Sequence, residues 1–387
     1  MKLAWLLAWR NLMGAGLRTF LNVLVLSFAF VMILWMKGVM VGWDQQSKED
    51  MRAWSIGAGQ YWHPAYDAYD VLSLTDAHAV IPKEAVRSGL VPVLATQASL
   101  FPQGRMMPVR LNGIPSQQSL LKLPTAALDT TMDAIPALMG TSMASKVHLN
   151  RGDRVLVQWR DRNGTFDAME IELVDVFQTT VPAVDAGQVW IDLSVLQELM
   201  MLPNEATWLT MGEATVDSER MAPFVWKPFS ELTRDIDAMI ETKSSGQAVF
   251  YVVLLLLAML AIFDTQVLSI FRRQKEIGTY VALGYTRREV VWLFTVEGSM
   301  HAVLAALLAA VYGIPLLWWQ SVVGFTIPMD TEGFGMAIAP TLYPVYSLGL
   351  VVTTFVLVLI TTGLVSYWPS RRIAKMNPTD ALRGKIQ

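Results

Sequence analysis

The chain contains no cysteine. That excludes disulfides, thiolate nucleophiles and Cys-ligated zinc. Histidine is scarce, with four residues at positions 63, 78, 148 and 301. His63 and His78 lie near Asp67, Asp70 and Asp76, but the spacing matches no metal-ligand pattern, and no metal is expected. No G-x-x-x-x-G-K-[ST] phosphate loop occurs, and no G-x-S-x-G or H-E-x-x-H motif. No catalytic residue is therefore assigned. The net charge of −3 exerts no pull toward nucleic acid.

Apolar residues are what the chain has in excess. They make up 53% of it, and the mean hydropathy is +0.39, above the usual range for soluble domains. Four runs are long enough for a spanning helix, which needs about 20 apolar residues. They are 20–41, 248–271, 290–317 and 346–367. Lys and Arg collect beside them unevenly. Arg10 and Arg18 precede the first run, Arg272 to Arg288 separate the second from the third, and Arg371 to Lys385 follow the fourth. The 318–345 loop has no basic residue from Gln320 to Val345. By the positive-inside rule both termini and the 272–289 loop face the cytoplasm, and 42–247 lies outside. The first run is longer than a signal-peptide core and has no small-residue cleavage pattern, so it reads as a retained anchor.

The segment Asp44–Lys243 holds 26 acidic and 16 basic residues, against 7 and 14 in the remainder. Within it, Arg154–Trp159 and Met169–Val174 alternate as strands do, and Asn163-Gly164 between them signals a hairpin. Val189–Leu193 reads as a strand, and Ser194–Met201 as a helix capped by Ser194. Helices are also expected over 77–90 and 229–242. The expected fold is an α-helical membrane domain of four transmembrane helices, plus a large α+β extracytoplasmic domain inserted between helices 1 and 2. An amphipathic elbow helix is expected over 1–19, and a cytoplasmic tail over 368–387.

Three motifs resemble one family. The stretch Arg273-Gln-Lys-Glu276-Ile277-Gly278, followed by Ala282-Leu283-Gly284 and Arg287, resembles the cytoplasmic loop of MacB/FtsX-type ABC transporter permeases. Ala8-Trp9-Arg10-Asn11-Leu12 resembles the start of such chains, and Pro369 to Arg383 resembles their end. Within the superfamily the chain is similar to the lipoprotein-releasing LolC/LolE-like permeases, through Gly38-x-x-x-Gly42 and Arg151-Gly152-Asp153-Arg154-Val155. It departs from them at Asp264-Thr265, where Asn-Thr is common.

The resemblance implies a permease that works with a dimer of ABC ATP-binding subunits and a second permease copy, identical or paralogous. ATP and Mg would sit on the partner, with no cofactor bound by this chain. It implies mechanotransmission, in which ATPase closure moves the cytoplasmic loop and then the outer domain. Lipoprotein release from the bacterial inner membrane is the first expectation, with a periplasmic chaperone and membrane lipid as further partners. The alternatives are FtsX-like signalling to a cell-wall hydrolase and MacB-like peptide or drug export.

Two groups of residues are candidate sites. In the 272–289 loop, a short amphipathic helix is expected to couple to the ATPase through Arg273, Lys275, Glu276, Ile277, Gly278, Tyr280, Val281, Leu283, Gly284, Arg287 and Arg288. The apolar members would fill a groove on the partner. Inside the membrane, Asp264 and Glu297 are expected to share one layer, with His301 on the same helix face as Glu297. Interhelical packing explains these polar residues at least as well as function does. The run Trp54, Tyr61, Trp62, Tyr66 and Tyr69 reads equally as domain core or as a substrate contact.

Overall fold

The computed structural model describes residues 16–130, 133–212, 218–326 and 341–375. Their contacts divide into two units. One comprises residues 16–43, 239–326 and 341–375, and the other residues 44–238.

The first unit is helical. Its elements are α1 (Leu17–Met51), α2 (Arg234–Arg272), α3 (Gln274–Ala282), α4 (Arg287–Val323) and α5 (Leu348–Ser370). All but α3 are long and apolar enough to cross a membrane. α1, α2 and α4 have 35, 39 and 37 residues, where about 20 would span 30 Å of hydrocarbon. The helices therefore outrun the apolar windows. α1 continues past Val41, and α2 begins well before Ala248, absorbing most of the helix read over 229–242. Polar residues end a hydropathy window but do not break a helix, and neither extension contains proline. Of the expected elbow, residues 1–15 lie outside the described residues, as do residues 376–387 of the tail. In the 318–345 loop, α4 runs on to Val323, and Phe325–Thr326 pairs with Thr341–Leu342.

Small residues let these helices approach closely. Leu26 and Ile33 of α1 meet Ala258 and Ile262 of α2, Ala302, Ala305 and Ala309 of α4, and Val358 of α5. A Cβ on Gly298 would lie 2.0 Å from Ser366 Oγ. One on Gly313 would lie 2.8 Å from Val31. Asn22 Nδ2 donates to Thr265 Oγ1 at 2.7 Å, tying α1 to α2.

The second unit is built on nine strands. They are β1 (Gly59–Trp62), β2 (Val91–Leu100), β3 (Met107–Ile114), β4 (Ile135–Gly140), β5 (Arg154–Arg160), β6 (Phe166–Phe177), β7 (Gln188–Asp192), β8 (Trp208–Met211) and β9 (Val225–Pro228). The hydrogen-bonded order is β9-β1-β8-β2-β3-β7-β4-β6-β5, and β5 also pairs with β2. That last pairing, Ala98–Leu100 against Val157–Trp159, closes six strands into a barrel. Closure removes the exposed edges that an open sheet would present. The remaining three strands extend from the Val91–Val93 end of β2.

Alternation along β5 carries the core. Val155, Val157 and Trp159 are buried, while Leu156 faces out. They pack with Leu100, Leu111, Leu173 and Ile191, each fully buried side chain contributing roughly 1.5–3 kcal/mol against solvent. The β5–β6 hairpin forms, but its loop has five residues rather than two, since Arg160 pairs with Phe166. Asp161 organises it by accepting from Asn163 N and Thr165 N, both at 2.8 Å, and Gly164 takes the left-handed conformation, φ +84°. The helix near 194 runs Leu193–Leu199, and Asp192 rather than Ser194 caps it. The carboxylate two residues earlier accepts the Ser194 amide at 2.8 Å. Of the expected 77–90 helix, only Lys83–Arg87 forms.

Candidate coupling site

The loop between α2 and α4 folds into α3 and a turn. Arg273 interrupts the helical path at φ −104°, ψ 21° and starts α3. Gly284 closes its far end at φ +97°, a conformation glycine adopts without a Cβ penalty. Its N–H donates to Val281 O at 3.1 Å. Thr286 then begins α4 with a reciprocal capping box to Glu289.

Arg273 is the centre of the site. Its Nε donates to Glu276 Oε2 at 2.7 Å. Its Nη1 donates to both carboxylate oxygens of Glu297, each at 2.9 Å, and its guanidinium lies 4.9 Å from the Phe294 ring centroid. One side chain thus joins the first turn of α3 to the buried face of α4. Beneath it, Ile277 packs with Ile270 of α2, Val290, Val291 and Phe294 of α4, and Ile373 in the turn after α5. Two long helices, α3 and the turn after α5 meet in this one apolar cluster.

The expected coupling residues divide by burial. Ile277 and Gly278 are buried inside the unit, and Tyr280 and Val281 are half-buried against the same cluster. These four pack on their own chain. The outward residues are Lys275, Glu276, Leu283, Gly284, Arg287 and Arg288. Leu283, 72% exposed, is the apolar one among them. An amphipathic pattern does not say which body covers the apolar face, and here the bundle does.

The intramembrane carboxylates do not pair. Glu297 is buried and belongs to Arg273, whereas Asp264 is exposed on the outer side of α2. Among the described residues nothing hydrogen-bonds Asp264. Counting residues from the helix ends put both at one depth but left their rotation about the helix axes open. His301 is buried, with Nδ1 3.1 Å from Gly298 O, and Thr362 returns its hydroxyl to Val358 O at 2.8 Å. The α+β unit absorbs most of the aromatic run. Tyr61 is buried against Trp226, Trp54 stacks on Phe177, and Tyr66 lies between Trp62 and Trp208. Tyr69 alone is well exposed, its hydroxyl donating to Asp235.

Sequence reasoning missed Ile270, Phe294 and Ile373. Phe294 follows Val290 and Val291 at helical spacing and could have been read as one face. Ile373 had no local signal, and neither did the Arg273–Glu297 pair.

Residues 248–378 match the family described as FtsX-like permease C-terminal. The macrolide export ATP-binding/permease protein MacB of Burkholderia lata is 27% identical over 157 residues, 39% of this chain and 21% of that protein. MacB of Burkholderia cenocepacia is 23% identical over 229 residues, 57% and 30% respectively. The probable syringafactin export ATP-binding/permease protein SyfD of Pseudomonas syringae is 25% identical over 157 residues, 39% and 22%. The chain thus spans about a fifth to a third of the length of these relatives. The extracellular domain of the noncanonic ABC-type transporter YknZ from Gram-positive bacteria aligns with 47% of this chain at 12% identity and a TM-score of 0.26, too low to bear on the fold. The resemblance to MacB/FtsX-type permeases is carried by these matches; the closer one to LolC/LolE-like chains is not among them.

Proposed function

We propose that this MacB/FtsX-type ABC transporter permease transmits the state of a partner ATP-binding subunit through α3 into its helical bundle and onward to its α+β unit. In this reading the chain has no ATPase of its own and works in the bacterial inner membrane beside a second permease copy. Its cargo is an amphiphile drawn from the membrane, a lipoprotein in the first instance. The observation that supports coupling is the Arg273 bridge from Glu276 to buried Glu297, over a cluster shared by α2, α3, α4 and the turn after α5. A solvated loop needed only for topology has no use for such a connection. Exposed Leu283, flanked by Lys275, Arg287 and Arg288, is the surface offered to the ATP-binding subunit.

The absence of cysteine makes this directly testable. Leu283→Cys introduces a single thiol, which can carry a photo-crosslinker in the intact complex. The expected product joins this chain to the ATP-binding subunit, with a yield that changes between nucleotide-free and ATP-bound states. Crosslinking to lipid alone would remove Leu283 from the coupling surface.

A second reading, MacB-like peptide or drug export, is supported by the names of the relatives, which are macrolide and syringafactin exporters. Co-purification separates the two. A bound lipoprotein favours release and an outer-membrane partner favours export, whereas a cell-wall hydrolase would point to FtsX-like signalling instead.

A further inference from the structure

A cavity of about 670 Å³ opens in the α+β unit, beside the closed barrel. Its apolar wall includes Tyr66, Leu74, Val109, Trp159 and Phe166. Most of these are buried or half-buried, but Phe166 is 69% exposed and stands free at the rim. The floor carries a cation, Arg110 on β3.

Arg110 has unusual company for a residue inside a domain. Its Nε donates to Gln188 Oε1 at 2.7 Å, and Nη2 makes a long contact to Ala183 O at 3.4 Å. The guanidinium lies 5.5 Å from the Trp208 ring centroid, and the Tyr66 hydroxyl oxygen accepts a further hydrogen bond from it. Among the described residues no carboxylate bonds to it. A guanidinium has five N–H donors in a planar fork, so this set leaves part of the fork unused. Burying a cation without a counter-ion is costly. Burial lowers the Arg110 pKa, against a smaller upward pull from Tyr66.

The acidic groups at the rim do not fill this role. Asp67 Oδ1 accepts the Tyr69 amide and Asp70 Oδ1 accepts the Leu72 amide, each at 2.9 Å. Arg160 adds a second positive charge to the lining while its Nε donates to Gly164 O at 3.1 Å. The segment as a whole is acidic, yet its cavity is built around an arginine with an open fork. Gln97, Gln158 and Ser99 supply further neutral hydrogen-bonding groups.

We propose that this cavity is a binding site for a small ligand bearing a carboxylate or phosphate next to an apolar or aromatic body. The anion pairs with the free edge of Arg110, the geometry in which arginine recognises planar or tetrahedral oxyanions. The body lies against Tyr66, Trp159 and Phe166. The site is self-contained in the α+β unit, and its existence does not depend on the permease reading.

The test uses the full chain in nanodiscs of zwitterionic lipid. Benzoate and phenyl phosphate are titrated by calorimetry, beside benzyl alcohol and benzylammonium as neutral and cationic counterparts. At least one anion is expected to bind, with benzyl alcohol and benzylammonium at least ten-fold weaker. The preferred anion tells carboxylate from phosphate. Arg110→Met should weaken the anion ten-fold or more, and Arg110→Lys, which keeps charge but loses the fork, should weaken it less. Phe166→Ala, at an exposed position, should weaken it several-fold without altering thermal stability. If Arg110→Met fails to fold, Arg110→Lys and Phe166→Ala decide. Equal binding of benzyl alcohol and the anions overturns the proposal, as does anion binding that is unchanged in Arg110→Lys and Phe166→Ala, or no binding at all.

Discussion

Arg273 and Glu297 are 24 residues apart in the chain, and one nitrogen of the arginine holds both oxygens of the glutamate at 2.9 Å. The side chains are 17% and 9% exposed, so removing Arg273 takes the guanidinium from a buried carboxylate, whereas removing Glu297 leaves Arg273 with Glu276. Stranding a buried charge costs about 3–5 kcal/mol. Arg273→Ala should therefore lower the melting temperature of the purified chain and uncouple ATP hydrolysis from transport in the reconstituted complex. Adding Glu297→Gln should restore much of the stability, since the buried charge is then gone and only the exposed Glu276 has lost its partner, but should not restore coupling. A double-mutant cycle on melting gives the interaction energy. Additive losses would mean that the two residues do not act together.

Gly298 of α4 lies against Ser366 of α5 with no room for a side chain. A Cβ at Gly298 would meet Ser366 Oγ at 2.0 Å and Ser366 Cβ at 2.4 Å. Gly298→Ala must push the helices apart, at a cost of about 1–3 kcal/mol, and should reduce the yield of folded protein. Ser366→Gly removes the two nearest atoms and leaves only the flexible end of Gln266, with Nε2 at 2.9 Å. The double variant should recover, as read by size-exclusion profile and thermal melt in detergent. If Gly298→Ala behaves as the parent, the helices are not held at this distance.

Asp185 gives the α+β unit a pH dependence of definite sign. It is 3% exposed and accepts from Ser142 N at 3.0 Å and Met143 N at 2.8 Å. Burial raises its pKa above the ordinary carboxylate value of 3.8, despite those two bonds. The folded state therefore holds this proton more tightly than the unfolded state. Its contribution to stability is complete below the unfolded value and is lost as pH rises through the raised folded value. Asp185→Asn removes that titration. The denaturant midpoint at pH 4 relative to that at pH 7 should then be lower in the variant than in the parent, and an identical difference would exclude Asp185 as a source.

The linear chain already determined a good deal. Four apolar runs, and the basic residues gathered beside them, follow from the cost of placing polar groups in hydrocarbon, a constraint each segment meets by itself. The strand alternation at Val155, Val157 and Trp159 is likewise local, because successive side chains must face opposite sides of a sheet. The Arg273–Arg288 motif could be found for the same reason, as a contiguous string.

Only the tertiary structure decided which way these elements turn. Ile277 is covered by its own bundle and Leu283 is not, although both looked equally available. Asp264 and Glu297 look alike in the sequence, yet one is exposed and the other meets Arg273. The barrel closes through Ala98–Leu100 and Val157–Trp159, segments nearly sixty residues apart. In each case the deciding quantity is a rotation or a long-range pairing, and it is set by the whole set of packed neighbours rather than by any window of sequence. The 272–289 loop, a string of basic and apolar residues in the sequence, is in the fold a short helix held to the bundle by Arg273 and the cluster around Ile277.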